Sequence, residues 1–328
     1  MSALGFIVIA FMLTMYVMLD GYDLGVAAIA PGIARSDAER AAAIAGIGPF
    51  WSGNEVWLIA AGAALFALFP TAYASAFSGF YLPLIVVLWL LMFRGIAIEL
   101  RDHFGSELWH QFWDAAFSIS SALLIVILGV ALGNLLRGVP LDAAGYFLGT
   151  FAFLLNPYAL LVGLFALSAL MQHGALFLAV RIDGGVGERA RRAVLVLWWS
   201  VVVLYVLVTA MTFRVHPLTT LSWPIALSAL SLGAQIAIRW YAAAGKTGIA
   251  FGASCGFIAT LLAAAAATIY PYLLPSFPAG HGGISVFSAA PSSASVASAL
   301  AITLAGIALV ALYAPAVWRR MAEKVRVE

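Results

Sequence analysis

Charged residues are scarce in this chain. Aspartate, glutamate, lysine and arginine make up 9% of its 328 residues, whereas 64% are hydrophobic. Soluble domains carry about 25% charged residues, so the composition excludes an ordinary soluble protein. It predicts an integral membrane protein with no separate soluble domain and no nucleic-acid partner.

Cysteine is nearly absent as well. The only cysteine, Cys255, excludes a disulfide framework and a thiolate metal cluster. The sequence also has no nucleotide-binding loop with a lysine, no HExxH and no CxxC motif, so soluble enzymes of those kinds are excluded. The first residues lack a basic segment and a small-residue cleavage site, which predicts a retained first span rather than a removed signal peptide.

Long apolar segments dominate what is present. Crossing about 30 Å of hydrocarbon takes roughly 20 apolar residues, and nine segments qualify. They cover residues 4–32, 50–69, 79–99, 115–136, 149–180, 194–213, 221–238, 247–270 and 295–317. The run "RVHPLTTLSWP" predicts a tight turn between the sixth and seventh, and residues 271–295 predict a longer external loop. The chain is thus predicted to be an all-α membrane protein whose single transmembrane domain covers residues 1–328.

Basic residues predict the orientation. With nine spans, 14 of the 16 lysines and arginines fall on one side of the membrane, and only Arg137 and Arg214 fall on the other. Loops rich in lysine and arginine stay in the cytoplasm. We therefore expect a cytoplasmic C-terminus and an N-terminus on the opposite side.

Three carboxylates stand inside apolar sequence. Asp20 and Asp23 in "DGYDLG" are three residues apart and share a helix face. The motif "WSGNEVW", which carries Asn54 and Glu55, begins the second segment at the same predicted depth. A polar cluster of these four residues near the cytoplasmic surface is expected.

Two interpretations of this cluster stay open. Carboxyl groups in a membrane are costly and are functional candidates, and they can take up and release protons. Alternatively, they can bind backbone groups where Gly21, Gly25 and Gly53 weaken the helices. The residues alone do not decide between proton transfer and this structural role.

A third motif, "FRGIAIELRDH", carries further charges. Arg94 could form an ion pair with Glu99 near Arg101 at the inner surface, but the favoured interpretation is an arginine that reaches toward the headgroups and anchors the helix.

Two polar residues of the fifth segment have structural interpretations. His173 is the histidine placed well inside a segment; it could ligate a haem iron, but a hydrogen-bonded packing role is favoured. Asn156 precedes Pro157, which breaks a helical pattern, so Asn156 is expected to satisfy the freed backbone groups. No metal site and no catalytic residue are predicted on this chain.

Several of these motifs carry a resemblance when they are taken in order. They are "LDGYDLGVAAIAPGI", "GPFWSGNEVWLIAAGAALFALFPTAYASAFSGFYLPL", "FRGIAIELRDH", "GNLLRGVPLD", "LLNPYALLVGL" and "HGALFL". From about residue 19 to residue 180 the chain closely resembles subunit II of cytochrome bd-type quinol oxidases. Trp51 and Trp57, which bracket the centre of the second motif, are structural candidates.

The resemblance implies a fold, a reaction and partners. It implies nine helices in two four-helix bundles plus a peripheral helix, with the first bundle at about residues 1–136 and the second part at about 137–328. It implies a complex in the bacterial inner membrane that includes a subunit I with haem b, haem d and the quinol site. This complex is expected to oxidise quinol and to reduce dioxygen to water with cytoplasmic protons. This chain is expected to bind no haem; a structural quinone or lipid, membrane lipids and small single-span accessory subunits are further expected partners.

The chain departs from the family pattern at two acidic positions. Ser52 stands where the family motif W-D-G-N has its aspartate, and Phe287 and Ser288 replace the W-D of the external loop. A proton path in this subunit is therefore either rerouted through Glu55 and the two aspartates of the first segment or absent. From the residues alone, an ion-coupled secondary transporter is the alternative function.

Overall fold

Long α-helices make up most of the chain in the computed structural model, which describes residues 1–215, 222–278, 283–321 and 324–325. The described helices are α1 (Ser2–Ile33), α2 (Asp37–Ile47), α3 (Trp51–Leu68), α4 (Pro70–Gly79), α5 (Tyr81–Leu100), α6 (Glu107–Arg137), α7 (Phe151–Leu154), α8 (Pro157–Arg181), α9 (Gly185–Val215), α10 (Ser222–Ala243), α11 (Thr247–Ile269) and α12 (Ser293–Met321). A 3₁₀ turn, Arg101–His103, follows α5, and two short strands, β1 (Tyr272–Leu274) and β2 (Ile284–Ser285), pair antiparallel.

Eight of the described helices are long and apolar enough to cross a membrane: α1, α5, α6, α8, α9, α10, α11 and α12. This confirms the predicted all-helical membrane class. The predicted segment at residues 50–69 corresponds to α3, which is not among the eight. With 18 residues at about 1.5 Å each, α3 is about 27 Å long, slightly less than the hydrocarbon thickness. The count of nine spans stays a prediction.

The predicted start of the fifth segment was wrong because local capping decides where a helix begins. The fifth segment was predicted from residue 149, but α8 begins at Pro157 after the one-turn helix α7. The predicted external loop at residues 271–295 contains the β1–β2 pair, whereas its residues 279–282 lie outside the described residues. The predicted turn at residues 216–221 also lies outside them.

Helix α8 is the centre of the packing, with α1, α6, α9 and α11 around it. The contact with α1 is very close at Gly25 and Gly174. A Cβ atom on Gly25 would overlap the backbone carbonyl of Leu170, and one on Gly174 would overlap the backbone of Gly25. Only glycine lets two helix backbones approach so closely. This crossing sets α1, with its two aspartates, against α8.

Candidate functional site

An arginine and an aspartate form a fully buried ion pair between α5 and α1. Nη1 of Arg94 donates to Oδ2 of Asp20 at 3.0 Å, and Nη2 donates to Oδ1 at 2.6 Å. Neither residue has exposed surface. A bidentate contact between a guanidinium and a carboxylate fixes orientation as well as distance. The pair therefore holds α5 against α1 at the depth of Asp20.

This geometry corrects both interpretations of Arg94. The arginine does not reach toward the headgroups, because it is fully buried. Glu99 is exposed and takes part in no ion pair among the described residues. The partner lies on another helix, because the side chain of Arg94 points inward from α5.

The second aspartate of α1 is held by α3. Nδ2 of Asn54 donates to Oδ2 of Asp23 at 2.7 Å and also lies 2.7 Å from the hydroxyl oxygen of Tyr22. The same amide lies 3.4 Å from the carbonyl oxygen of Leu19. Asp23 is fully buried, and its Oδ1 atom has no hydrogen-bond partner among the described residues. One oxygen of Asp23 is therefore held and the other is open.

Glu55 completes the group and connects it with the surface of the chain. Its Oε2 lies 4.0 Å from Nη1 of Arg94, and its side chain is 21% exposed. Oδ2 of Asp23 lies 3.9 Å from Nη2 of the same arginine. We call Asp20, Asp23, Asn54, Glu55 and Arg94 the carboxylate cluster.

The charges of the carboxylate cluster do not balance if every carboxyl group is ionised. Three carboxyl groups share one guanidinium, and burying an unpaired charge is very costly. Electrical balance within the cluster is reached when two of the three carboxyl groups carry protons. Carboxyl groups can take up and release protons, and one member of the cluster, Glu55, reaches the surface of the chain.

A second charged group lies where α5 ends. Arg101 is 2% exposed and donates from Nε to Oδ1 of Asp114 at 2.7 Å and from Nη2 to Oδ1 of Asp37 at 2.6 Å. It also contacts Asp102 at 3.0 Å. Arg101 thus joins α2, the 3₁₀ turn and α6, which is a structural role.

Glu39 on α2 forms a further link to α9. Its Oε2 accepts a hydrogen bond from the backbone N–H of Arg35 at 2.6 Å and another from Nη2 of Arg189 at 2.6 Å. The Arg35 amide, followed by the Arg189 guanidinium, lowers the pKa of Glu39 because both bonds favour the charged carboxylate.

His173 lies on α8 and contacts both α1 and α11. Its Nε2 is 2.9 Å from the carbonyl oxygen of Met18, and its Nδ1 is 2.6 Å from Oγ of Ser254 on α11. The ring stacks on Phe251 with 4.9 Å between ring centres. Both ring nitrogens have hydrogen-bond partners, so neither is open to bind a haem iron, and His173 does not fit as an axial ligand.

Asn156 caps α8. Its Oδ1 accepts from the backbone N–H of Ala159 at 3.0 Å, and its Nδ2 donates to Oδ1 of Asn134 at 2.9 Å and to the carbonyl oxygen of Phe153 at 3.2 Å. Pro157 takes the first helical position, where its missing N–H costs nothing. The structural role predicted for Asn156 agrees with this geometry.

The two tryptophans of the second motif make packing contacts. Trp57 is 9% exposed and meets Phe11 edge to face, with 6.1 Å between ring centres. The ring of Trp51 lies against the position of Gly95 on α5.

Both serines at the family's aspartate positions are exposed on this chain. Ser52 precedes Glu55 by three residues, so the two are neighbours on the surface of α3. Ser288 bonds only to Ser285, within its own turn, among the described residues.

Some residues of the site were missed from the sequence. Tyr22 stands inside "DGYDLG", and its ability to hydrogen-bond was a usable signal. Ser254 gave no signal, because a serine among small residues on α11 is unremarkable until the histidine opposite it is known. No group of three histidine, cysteine or acidic side chains that could hold a metal ion occurs among the described residues.

The fold and the site define a multi-pass helical membrane protein with a buried cluster of mixed charge. The family model for cytochrome bd terminal oxidase subunit II matches residues 1–321. The chain therefore belongs to the family of cytochrome bd terminal oxidase subunit II.

Individual relatives agree with this assignment. The chain is 41% identical over 180 residues to cytochrome bd-I ubiquinol oxidase subunit 2 of Escherichia coli (strain K12), which is 54% of this chain and 48% of that protein. It is 36% identical over 189 residues to cytochrome bd ubiquinol oxidase subunit 2 of Bacillus subtilis (strain 168), which is 58% of this chain and 56% of that protein. The matched segments thus span about half the length of these curated relatives.

The fold has a solved counterpart. A chain of the bd oxidase from Geobacillus thermodenitrificans superposes with a TM-score of 0.80 over 98% of both chains at 19% sequence identity. At this identity the likeness is one of fold.

Proposed function

We propose that this chain is the haem-free second subunit of a cytochrome bd-type quinol oxidase in the bacterial cytoplasmic (inner) membrane. Its partner is a subunit I that carries haem b, haem d and the quinol site, and the complex oxidises quinol and reduces dioxygen to water. The family match over residues 1–321 supports this assignment. An ion-coupled secondary transporter is not favoured by the same comparisons.

The topology of the proposal counts α3 as the ninth span. The spans form two four-helix bundles and one peripheral helix, with the N-terminus outside and the C-terminus in the cytoplasm. The carboxylate cluster then lies in the cytoplasmic half of the membrane, because it combines the later part of α1, the first turn of α3 and the later part of α5.

Within the complex, the carboxylate cluster conducts protons from the cytoplasm toward subunit I. The observation that carries this role is that three carboxyl groups share one buried guanidinium and one of them, Glu55, reaches the surface of the chain. Glu55 exchanges protons with the outside of the chain, and Asp23 takes them up inside. Asp20 stays bound to Arg94 and anchors the cluster.

The test of the proton role is Glu55→Gln, which keeps the shape and removes the acid. Glu99→Gln is the matched control, because Glu99 is an exposed carboxylate on α5 without an ion pair among the described residues. We expect both complexes to assemble with full haem content. Oxygen consumption should fall at least about tenfold in Glu55→Gln, since removing a positioned proton carrier costs this much or more, and should stay normal in Glu99→Gln. Normal turnover in an assembled Glu55→Gln complex would refute the proton role.

The assembly itself is tested by purification through a tag on this chain. A haem d band in the reduced-minus-oxidised spectrum, together with a second large subunit, is the expected result. Material without haem and without a partner would refute the oxidase assignment for this chain. The same preparation tests for a structural quinone or lipid and for small single-span subunits by extraction and mass spectrometry.

A further inference from the structure

Helix α1 meets α8 through glycines and through a stacked pair of rings, Tyr22 on α1 and Phe177 on α8, with 4.1 Å between ring centres. Gly21 and Gly25 face α8, and a Cβ atom on either would meet Leu170. The glycine surface is smooth and contributes no directional contact. A hydrogen bond to the backbone of α1 therefore adds to the ring stack in fixing the rotation of α1 about its own axis.

His173 supplies such a bond from α8. Its Nε2 lies 2.9 Å from the carbonyl oxygen of Met18, and because a carbonyl oxygen only accepts, Nε2 carries the proton. Ser254 on α11 holds the other ring nitrogen at 2.6 Å, and the stacked ring of Phe251 fixes the ring plane. With His173 1% exposed, the bond is shielded from water.

The same part of α1 is also held by α3. Asn54 on α3 binds Asp23 and Tyr22 and approaches the carbonyl oxygen of Leu19, which is the residue after Met18. His173 and Asn54 thus approach neighbouring backbone carbonyls of α1, and Asp20 follows directly after Leu19.

We propose that His173 is a positioning residue for the carboxylate cluster: its bond to the carbonyl oxygen of Met18, supported by Ser254, sets the rotation of α1 at which Asp20 and Asp23 meet Arg94 and Asn54. The effect of His173 on turnover rests on the proton role proposed above, whereas its effect on α1 does not. Side chains reach about 5–6 Å from a helix axis, so a rotation of about 10° moves a carboxylate by about 1 Å, enough to impair a functional site.

The experiment compares three variants of the assembled complex. His173→Leu removes the donor, His173→Gln keeps an N–H donor, and Gln172→Leu is the matched control. Gln172 neighbours His173 on α8 and is equally buried, but its hydrogen bond at 3.0 Å joins it to Gln235 on α10. Gln172→Leu therefore disturbs the core to a similar extent without releasing α1.

We expect the cryo-EM structure of the His173→Leu complex to show the Arg94–Asp20 contact lengthened and α1 rotated. Turnover should fall about tenfold, and His173→Gln should recover most of it. An unmoved α1 in His173→Leu, or an equal shift in Gln172→Leu, would overturn the proposal. If His173→Leu does not assemble, Ser254→Ala is measured instead, because it removes the hydrogen bond that holds the ring of His173 and is a milder change. A rotated α1 in Ser254→Ala supports the proposal, and an unmoved α1 overturns it.

A double-variant cycle separates positioning from general damage. If His173 acts through the cluster, His173→Leu adds little to the turnover loss of Asp23→Asn, because the two changes disable one unit. Multiplied losses would overturn the proposal. If α1 rotates in His173→Leu while Asp23→Asn and Glu55→Gln turn over normally, the proton role fails and the positioning of α1 stands.

Discussion

Replacing Arg94 by methionine tests how the carboxylate cluster is held. The substitution keeps an unbranched side chain and removes the guanidinium that binds Asp20 at 3.0 and 2.6 Å and lies within 4.0 Å of Asp23 and Glu55. Both partners of the main pair are fully buried, so water cannot replace the lost bonds. Removing one partner of a buried ion pair costs about 3–5 kcal/mol.

Most of this loss comes from the group that is left behind. Without Arg94, the fully buried carboxyl group of Asp20 has lost its partner, whereas removing both charges together leaves no unpaired charge. The loss of stability in Arg94→Met alone should therefore be about 3–5 kcal/mol, and the loss in a variant without either charge should be smaller.

The assay is the free energy of unfolding of the purified complex in mixed detergent micelles at pH 7.5. The double variant Asp20→Asn, Arg94→Met serves as the comparison, because it removes both charges and should recover part of the loss. A loss below about 1 kcal/mol in Arg94→Met, or a double variant no more stable than the single one, would refute the reasoning.

Two further predictions concern the scaffold around the cluster. Gly25→Ala should destabilise the protein by about 1–3 kcal/mol or more in detergent unfolding, because the new methyl group overlaps the backbone of Leu170. Gly32→Ala on the same helix is the control and should be neutral, because its methyl group meets nothing within 4 Å. Equal effects of the two substitutions would contradict the close crossing of α1 and α8. Glu39→Gln should reduce the free energy of unfolding by less than about 1 kcal/mol at neutral pH. The pKa of Glu39 in the folded protein is lowered from its ordinary value of about 4.5, so the ionised carboxylate stabilises the fold above pH 4.5, and this contribution is lost as the pH falls through the lowered pKa. The wild type and Glu39→Gln should therefore converge in thermal unfolding below about pH 4.5, and a constant gap would contradict the ion pair with Arg189.

The grouping of Asp20, Asp23, Asn54 and Glu55 follows from local properties. Carboxylates three residues apart share a helix face, and basic loops predict at which end of a span they lie. The structure places the three carboxylates around Arg94 and Asn54 against Asp23. Their chemical role stays a proposal.

The partner of Arg94 could not be read from the sequence. Glu99 is five residues away on the same helix, whereas Asp20 is 74 residues away, and only the packing of the helices decides which carboxylate meets the buried guanidinium. The start of α8 was missed for a similar reason: Asn156 fixes it through hydrogen bonds with Asn134 on α6 and Phe153 on α7.

The sequence by itself determined the all-helical membrane class and the family, because hydropathy and ordered motifs are properties of the chain read residue by residue. Tertiary structure alone decided which charges pair, that both ring nitrogens of His173 are engaged, and that α1 approaches α8 through glycine. These contacts depend on the rotation and depth of helices that are distant in the chain. Rotation and depth are fixed by directional hydrogen bonds and close packing, which form only when the helices assemble.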